Sequence, residues 1–397
     1  MQRGKNIILA VTASIAAYKT PELIRALTAE GIGVSVAMTP ASREFVTPLT
    51  LEILSGHKVL VDTFDSPLAH VEMAQKADAL LVAPATLNTV SKFAAAIADN
   101  LVTALFMTFR GPLLIAPAMN WRMYENPVFK DKLQYLKDKG VIEITPEVGE
   151  LACGEEGAGR LASIPTITHA VKKALTAQDL RGLRVVVTAG ATRQYIDPIR
   201  FITNRSSGKM GFAIAKAASL RGATVTLISS GTHLTPMKEW EFVPVETAQE
   251  MENAVMDKTK AADVLVMAAA VSDFRPAVVA DNKIERSSGL SMNLVKTDDI
   301  LSRVSCQKER PFIVGFSAET GNRIDRAKGK LHAKGIDMIV FNDITMEGAG
   351  FDTDTNIVTI ITSQSEHPLP KMSKEEVSHV IFNKVLEKMG RTVLYEY

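Results

Sequence analysis

Cysteine is nearly absent. Cys153 and Cys306 are the only two in 397 residues, far apart and without a CxxC. That excludes a disulfide framework and a structural zinc site of the usual spacing. An excess of one charge is lacking as well. The chain has 45 Lys and Arg against 44 Asp and Glu, a formal net charge of +1. It therefore has no long-range field to hold nucleic acid or a membrane surface. No apolar stretch reaches the ~20 residues that span a bilayer. The apolar run near the start is short and leads directly into a loop and an amphipathic helix, unlike a secretory signal. A cytoplasmic protein with neither nucleic acid nor membrane as partner is expected. Internal repeats and low-complexity tracts are also missing, as are G-x-G-x-x-G and Walker A fingerprints.

Hydrophobic residues make up 46% and charged residues 22%, an ordinary globular balance. The length is too great for one core and calls for two or three domains. Residues 5–11, 34–38, 79–83 and 113–116 are short apolar runs separated by helical patterns, the longest over 16–30. Such runs read as parallel strands covered on both faces. The pattern restarts at Leu183, with strands expected over 184–188, 224–228, 262–270 and 312–316 and a helix over 210–220. The fold class is thus α/β, with two doubly wound Rossmann-like domains over 1–178 and 183–397. Residues 177–182 form a short polar join. Residues 348–356 read as a turn before an edge strand over 357–361.

In such sheets ligands bind beyond the carboxyl ends of the strands. Thr12-Ala-Ser-Ile-Ala-Ala-Tyr-Lys19 joins the first strand to the first helix, and its small residues permit close backbone approach to a phosphate. The pattern alone leaves it as either a ligand loop or a tight turn. Ala83-Pro-Ala-Thr86 and Ala116-Pro-Ala-Met-Asn120 are two similar loops at neighbouring strand ends, which favours a shared ligand. His70 stands near the start of a helix, where a lone histidine is more often structural than catalytic. Cys153 lies on a glycine-rich stretch that suits a mobile proton donor.

Together the 16–22 segment, the 83–86 loop, Pro117-Ala-Met-Asn120 and Ala152-Cys-Gly154 resemble the flavin-containing cysteine decarboxylases, in their phosphopantothenoylcysteine decarboxylase branch, over most of residues 1–175. The resemblance implies FMN at the strand ends, against Ser14, Ala83, Thr86 and Met119, with His70, Asn120 and Cys153 catalytic. Flavin would oxidise the substrate thiol to a thioaldehyde so that CO2 leaves readily. His70 would assist oxidation or orient the carboxylate, Asn120 would hold that carboxylate, and Cys153 would return a proton. Ala13-Ser14 departs from the adjacent glycines common in the family.

In the second half, Asn204-Arg-Ser-Ser-Gly-Lys-Met-Gly211 precedes a helix and suits phosphate or a charged cap. Ala268-Ala-Ala-Val-Ser-Asp-Phe-Arg275 leaves a buried strand. Lys328, Lys330 and Lys334 follow on a helical stretch, either as a solvated face or as cations for a triphosphate. With Thr188-Ala-Gly190, Asp197-Pro198, Lys296, Gly315-Phe-Ser-Ala-Glu-Thr320 and Asn342-Asp343, these segments resemble the phosphopantothenate–cysteine ligase domain of bacterial bifunctional enzymes. The resemblance implies CTP as substrate and an acyl-cytidylate that cysteine attacks. Asp273, Phe316, Lys330 and Lys334 would contact the nucleotide. Lys283 would counter phosphate charge, Asn204 would hold the acyl-cytidylate, and Mg2+ would bridge the phosphates through protein ligands left unassigned. Thr297 departs from the asparagine usual after the lysine, and Cys306 reads as packed. The substrates implied are 4'-phosphopantothenate, cysteine and CTP. The assembly implied is a homo-oligomer of decarboxylase trimers and ligase dimers, combined as a dodecamer.

Two other classes stand beside this reading. A non-catalytic flavin-binding regulatory subunit is opposed by the ligase half and by His70 and Cys153. A two-domain NAD(P)-dependent oxidoreductase is opposed by the missing glycine fingerprint.

Overall fold

A computed structural model describes residues 4–65, 68–150, 154–285, 290–321 and 323–395. Its first strand, β1 (Asn6–Val11), is buried at every position after Asn6. Ile7, Leu9 and Val11 enter one apolar cluster, and Ile8 and Ala10 enter another on the opposite face. A strand covered on both sides needs a parallel sheet with helices on each face, and that is what forms. β2 (Gly33–Met38), β3 (Ala79–Ala85), β4 (Leu113–Pro117) and β5 (Ile142–Glu143) join it in the order β2-β1-β3-β4-β5, every pair parallel. The strand order reverses between β1 and β3, and this switch point is where open α/β sheets bind ligands. A hairpin of β6 (Glu147–Glu150) and β7 (Glu156–Arg160) follows.

The chain divides into compact units at Thr176–Ala177. The second unit begins with β8 (Arg184–Gly190), then a hairpin of β9 (Arg193–Tyr195) and β10 (Phe201–Thr203), then β11 (Thr224–Ser230) and β12 (Glu241–Pro244). β13 (Val264–Met267) precedes a ribbon of β14 (Phe274–Pro276) and β15 (Leu294–Lys296). β16 (Phe312–Glu319), β17 (Met338–Asp343), β18 (Thr355–Asn356), β19 (Val358–Thr362) and β20 (Glu366–Pro368) follow in chain order. The main sheet runs β12-β11-β8-β13-β16-β17-β19-β20. It is parallel up to β17 and antiparallel beyond. Its switch point lies between β8 and β13. Val185 and Val187 pack on one face and Val186 on the other, the same two-sided burial as in the first unit.

One expectation is corrected. The strand over 357–361 is not at the edge, because Glu366–Pro368 folds back and pairs outside it. The polar join over 177–182 packs with the second compact unit. Leu180 is fully buried and its N–H donates to the Arg221 carbonyl at 3.0 Å. Asp179 receives Nε and Nη2 of Arg221 at 2.8 and 2.7 Å, and both side chains are shut off from water. The second compact unit begins at Ala177.

Candidate functional site

In the first unit, three loops meet at the switch point and are bonded to one another. The Thr12 hydroxyl is buried. It donates to the Pro84 carbonyl at 2.7 Å and accepts the Thr86 N–H at 3.1 Å. Ser14 donates to the Ala118 carbonyl at 3.1 Å, and the Ala118 N–H returns to the Ala85 carbonyl at 3.1 Å. Thr86 caps the helix Leu87–Ala94, and Asn120 caps the helix Trp121–Tyr124 through Oδ1. The structure thus brings Ser14, Ala83, Thr86, Met119 and Asn120 to one place. The loops carry no acid or base. Hydroxyls, an amide and backbone groups around small apolar side chains suit a planar heteroaromatic ring edged with donors and acceptors.

His70 is the second residue of the helix Ala69–Lys76, which leads back down to β3, so its N-terminus is at this same end of the sheet. The ring is half-buried, and its Nδ1 is buried without a hydrogen bond among the described residues. The preceding Leu68 caps the helix at φ 59°, a left-handed conformation that a branched apolar residue seldom adopts. A buried imidazole nitrogen with no partner among the described residues fits a site that receives a polar ligand. No described contact joins His70 to the three loops.

Cys153 lies outside the described residues. Glu155, two residues further along, is bonded to the 120–122 segment. Glu155 accepts Trp121 Nε1 at 2.9 Å, Arg122 Nη2 at 2.7 Å and Asn120 Nδ2 at 3.4 Å. In β7, Gly159 is at φ +155°, where a Cβ would lie 2.2 Å from the Met119 carbonyl oxygen. Only glycine lets the hairpin come this close. Sequence reasoning missed Glu155 and Trp121. The signal available was an acid two residues beyond the cysteine, and it has meaning only once the hairpin folds back.

In the second unit, the chain leaving β8 makes its turn at Gly190. A Cβ there would meet the Ser230 carbonyl oxygen at 1.6 Å, and φ is +82°. Asn204 donates from Nδ2 to the Ala270 carbonyl at 3.2 Å, joining the Ser206–Gly211 loop to the chain that leaves β13. Gly208 caps the helix Lys209–Leu220. Ser207 donates to the Phe351 carbonyl at 2.7 Å, and Lys209 reaches the Asp352 carbonyl and Asp354 at 2.8 and 2.7 Å. The Phe351 carbonyl is also held from behind by the buried Lys374 at 3.1 Å. Sequence reasoning did not single out Lys374, whose ammonium is fixed by loop carbonyls far away in the chain.

Asp273 is exposed, and its carbonyl accepts the Thr297 N–H at 3.0 Å. Thr297 also donates from its hydroxyl to the Ser272 carbonyl at 2.6 Å, so the threonine found in place of asparagine still ties this loop down. Phe316 is half-buried in β16. Lys330 pairs with Glu319 at 2.7 Å and Lys334 with Asp299 at 3.0 Å. Burial works against the Glu319 carboxylate, but Lys330, Ser317 and Arg326 outweigh it and hold its pKa below the usual value. Asp299 is likewise burdened by burial and brought down by Lys334. Each lysine therefore has a carboxylate partner, and no described contact joins either to the Asp273 loop. Lys283 is exposed on an irregular segment. Among the described residues no three His, Cys, Asp or Glu side chains gather as a metal site, and no helix is long and apolar enough to cross a membrane. Cys306, expected to be packed, is exposed, because it caps the helix Ile300–Ser305 at the surface.

Fold and site define a two-unit α/β protein in which loops are hydrogen-bonded to one another at the switch point of each sheet. Residues 1–176 match the family model described as flavoprotein, and residues 180–389 match that of the DNA/pantothenate metabolism flavoprotein C-terminal domain. The chain is 40% identical over 394 residues to the coenzyme A biosynthesis bifunctional protein CoaBC of Vibrio cholerae, covering 97% of this chain and 99% of that one. It is 42% identical over 395 residues to the protein of that name from Bacillus subtilis, covering 97% of each. A crystal structure of the C-terminal domain of a CoaBC protein is 38% identical, covers 54% of this chain and 99% of its own, and has a TM-score of 0.47. The chain belongs to the family of coenzyme A biosynthesis bifunctional proteins.

Proposed function

We propose that residues 177–397 join cysteine to 4'-phosphopantothenate at the expense of CTP through an acyl-cytidylate, and that residues 1–176 then decarboxylate the 4'-phosphopantothenoylcysteine to 4'-phosphopantetheine with FMN. The observation that carries the first-unit reading is the hydrogen-bonded meeting of the 12–14, 84–86 and 118–120 loops. For the second unit it is the closure of Asn204 onto Ala270 across the switch point.

FMN supplies the electron sink that loss of CO2 requires. Ser14, Ala83, Thr86 and Met119 would hold it. His70 would assist the oxidation or orient the carboxylate, Asn120 would hold that carboxylate by hydrogen bonds, and Cys153 would deliver a proton at the end. In the ligase unit the nucleotide would lie along Asp273, Phe316, Lys330 and Lys334. Mg2+ would be carried mainly on its phosphates, as this ion commonly is. The protein would work in the cytoplasm as a homo-oligomer, a dodecamer of trimers and dimers. Exposed Tyr18 and Ile53 beside Leu54 in a surface groove of the first unit support a subunit contact there. Supplying phosphopantothenate, cysteine, CTP and Mg2+ tests the whole reading. Appearance of 4'-phosphopantetheine supports it; failure to form any cysteine conjugate rejects it.

The two ligase roles separate in time. Lys283→Gln removes the charge that counters the phosphate as the carboxylate attacks. It is expected to lower pyrophosphate release roughly a hundredfold, or about 3 kcal/mol. Asn204→Asp should still release pyrophosphate but trap the bound acyl-cytidylate, because a carboxylate there repels the phosphate and misplaces the acyl group. Normal pyrophosphate release by Lys283→Gln, or none by Asn204→Asp, reverses the assignment.

A further inference from the structure

We infer that Asp197 is a positioning residue for Lys283: with Arg200 it clamps both backbone groups of Ile284 and so fixes the lysine beside it. This rests on the role proposed above for Lys283. Between Pro276 and Leu294 the described chain contains no helix or strand, and Val278, Val279 and Lys283 are exposed. Left to itself, such a segment has no means of holding an ammonium at a reacting phosphate.

Asp197 is fully buried. Its Oδ1 accepts the N–H groups of Ile199 and Arg200 at 2.9 and 2.8 Å. Those bonds alone describe an aspartate closing its own turn, a purely local role. Its other oxygen does more. Oδ2 accepts Arg200 Nε at 2.9 Å and, from far along the chain, the N–H of Ile284 at 3.2 Å. Arg200 Nη2 grips the Ile284 carbonyl at 2.5 Å. The Ala280 N–H adds a third anchor on the Ile196 carbonyl at 3.0 Å. One residue away from Lys283, therefore, both backbone groups are held, the N–H by a buried carboxylate and the carbonyl by the guanidinium paired with it. Charge-assisted bonds of this kind are the stronger ones. Burial opposes the Asp197 charge, but the N–H groups of Ile199, Arg200 and Ile284 and the Arg200 charge hold its pKa down at about 2. The clamp thus stays ionised wherever the enzyme works.

An asparagine at 197 keeps the size and the turn but cannot accept on both sides. The test compares Asp197→Asn, Lys283→Gln and the double variant in the full chain, measuring pyrophosphate release from phosphopantothenate and CTP. Amide exchange over residues 277–285 is followed in parallel. Asp197→Asn should lower kcat by about ten- to a hundredfold, as misplacing a catalytic group does, with little change in the KM for CTP. Its 277–285 amides should exchange faster. The double variant should be no slower than Lys283→Gln alone, because both changes remove the same contribution. Multiplying losses, or unchanged exchange at Ile284, overturns the inference. Parent-like turnover by Lys283→Gln instead removes the catalytic role of the lysine, and the clamp loses its purpose even if exchange shows that it exists. If Asp197→Asn does not fold, Ile284→Pro leaves the 197–200 turn whole and removes the distant N–H, while also fixing φ at 284 and restricting the backbone of Lys283. It should reproduce the kcat loss, and full activity in that variant also overturns the inference.

Discussion

Replacing His70 by asparagine is expected to stop CO2 release from 4'-phosphopantothenoylcysteine while pyrophosphate release by the ligase continues at the parent rate. Asparagine matches part of the ring's shape and hydrogen bonding but cannot exchange a proton near neutral pH, which imidazole can. Loss of a positioned acid or base typically costs roughly 10² to 10⁴ in rate. The burial of Nδ1 without a hydrogen-bond partner among the described residues is why a packing role is disfavoured. A structural histidine at such a depth ordinarily satisfies its nitrogens within the protein. His70 belongs to the first compact unit and the ligase residues to the second, which is why ligation should be spared. A variant that releases CO2 at near the parent rate ends the assignment. Equal loss of both activities points to damage to folding instead.

Asp179→Ala is expected to destabilise the second unit more than exchanges at Asn204, Asp197 or Lys283 do. Arg221 is the largest fully buried side chain among the described residues, and its guanidinium depends on a small set of partners. Nε and Nη2 are on Asp179, Nη1 is on the His379 carbonyl at 2.9 Å, and the Tyr395 ring lies 5.0 Å away. Asp179 also accepts the N–H groups of Leu394 and Tyr395 at 2.9 and 3.1 Å. One ion pair therefore ties the entry of the second unit, the end of the helix Lys209–Leu220 and the chain's last described residues. Removing one partner leaves a charge buried and uncompensated, which costs about 3–5 kcal/mol. In a unit of this size that lowers the melting temperature by roughly 10 °C. A fragment starting at Leu183 lacks Asp179 and should show the same loss, whereas one starting at Ala177 should not. A shift below about 2 °C for Asp179→Ala would mean that water reaches Arg221 at little cost. The pH dependence has a definite sign. Burial alone raises the Asp179 pKa, but Arg221 and the two N–H groups outweigh it, so the folded value lies below the ordinary 3.8. The pair's contribution is then complete above that value and is lost as pH falls through the lower, folded one. Acid melting of Asp179→Ala should lack that component.

The sequence by itself determined what local pattern and composition can carry. Short apolar runs between helical stretches dictated parallel sheets covered on both faces, because β1 and β8 have no polar side to offer water. The loops at the strand ends were legible for the same reason: once strand direction is known, the carboxyl ends are known, and Thr12–Ser14, Pro84–Thr86, Pro117–Asn120 and Ser206–Gly211 fall there. Tertiary structure alone decided which distant residues answer them. Asp179 read as part of a polar join, and its burial follows only from Arg221 and the chain end arriving beside it. Glu155 gains its role when β7 folds back onto Trp121, Asp197 when the 280–284 segment lies across it, and Lys374 when the 350–353 carbonyls turn toward its ammonium. Lys330 and Lys334 read as a solvated face or as cations for a triphosphate, and only the fold sets Glu319 and Asp299 opposite them. A residue's apolar period is a property of its neighbours in sequence, whereas the partner that makes a buried charge tolerable is set by chain closure over tens to hundreds of residues, and no local pattern encodes that.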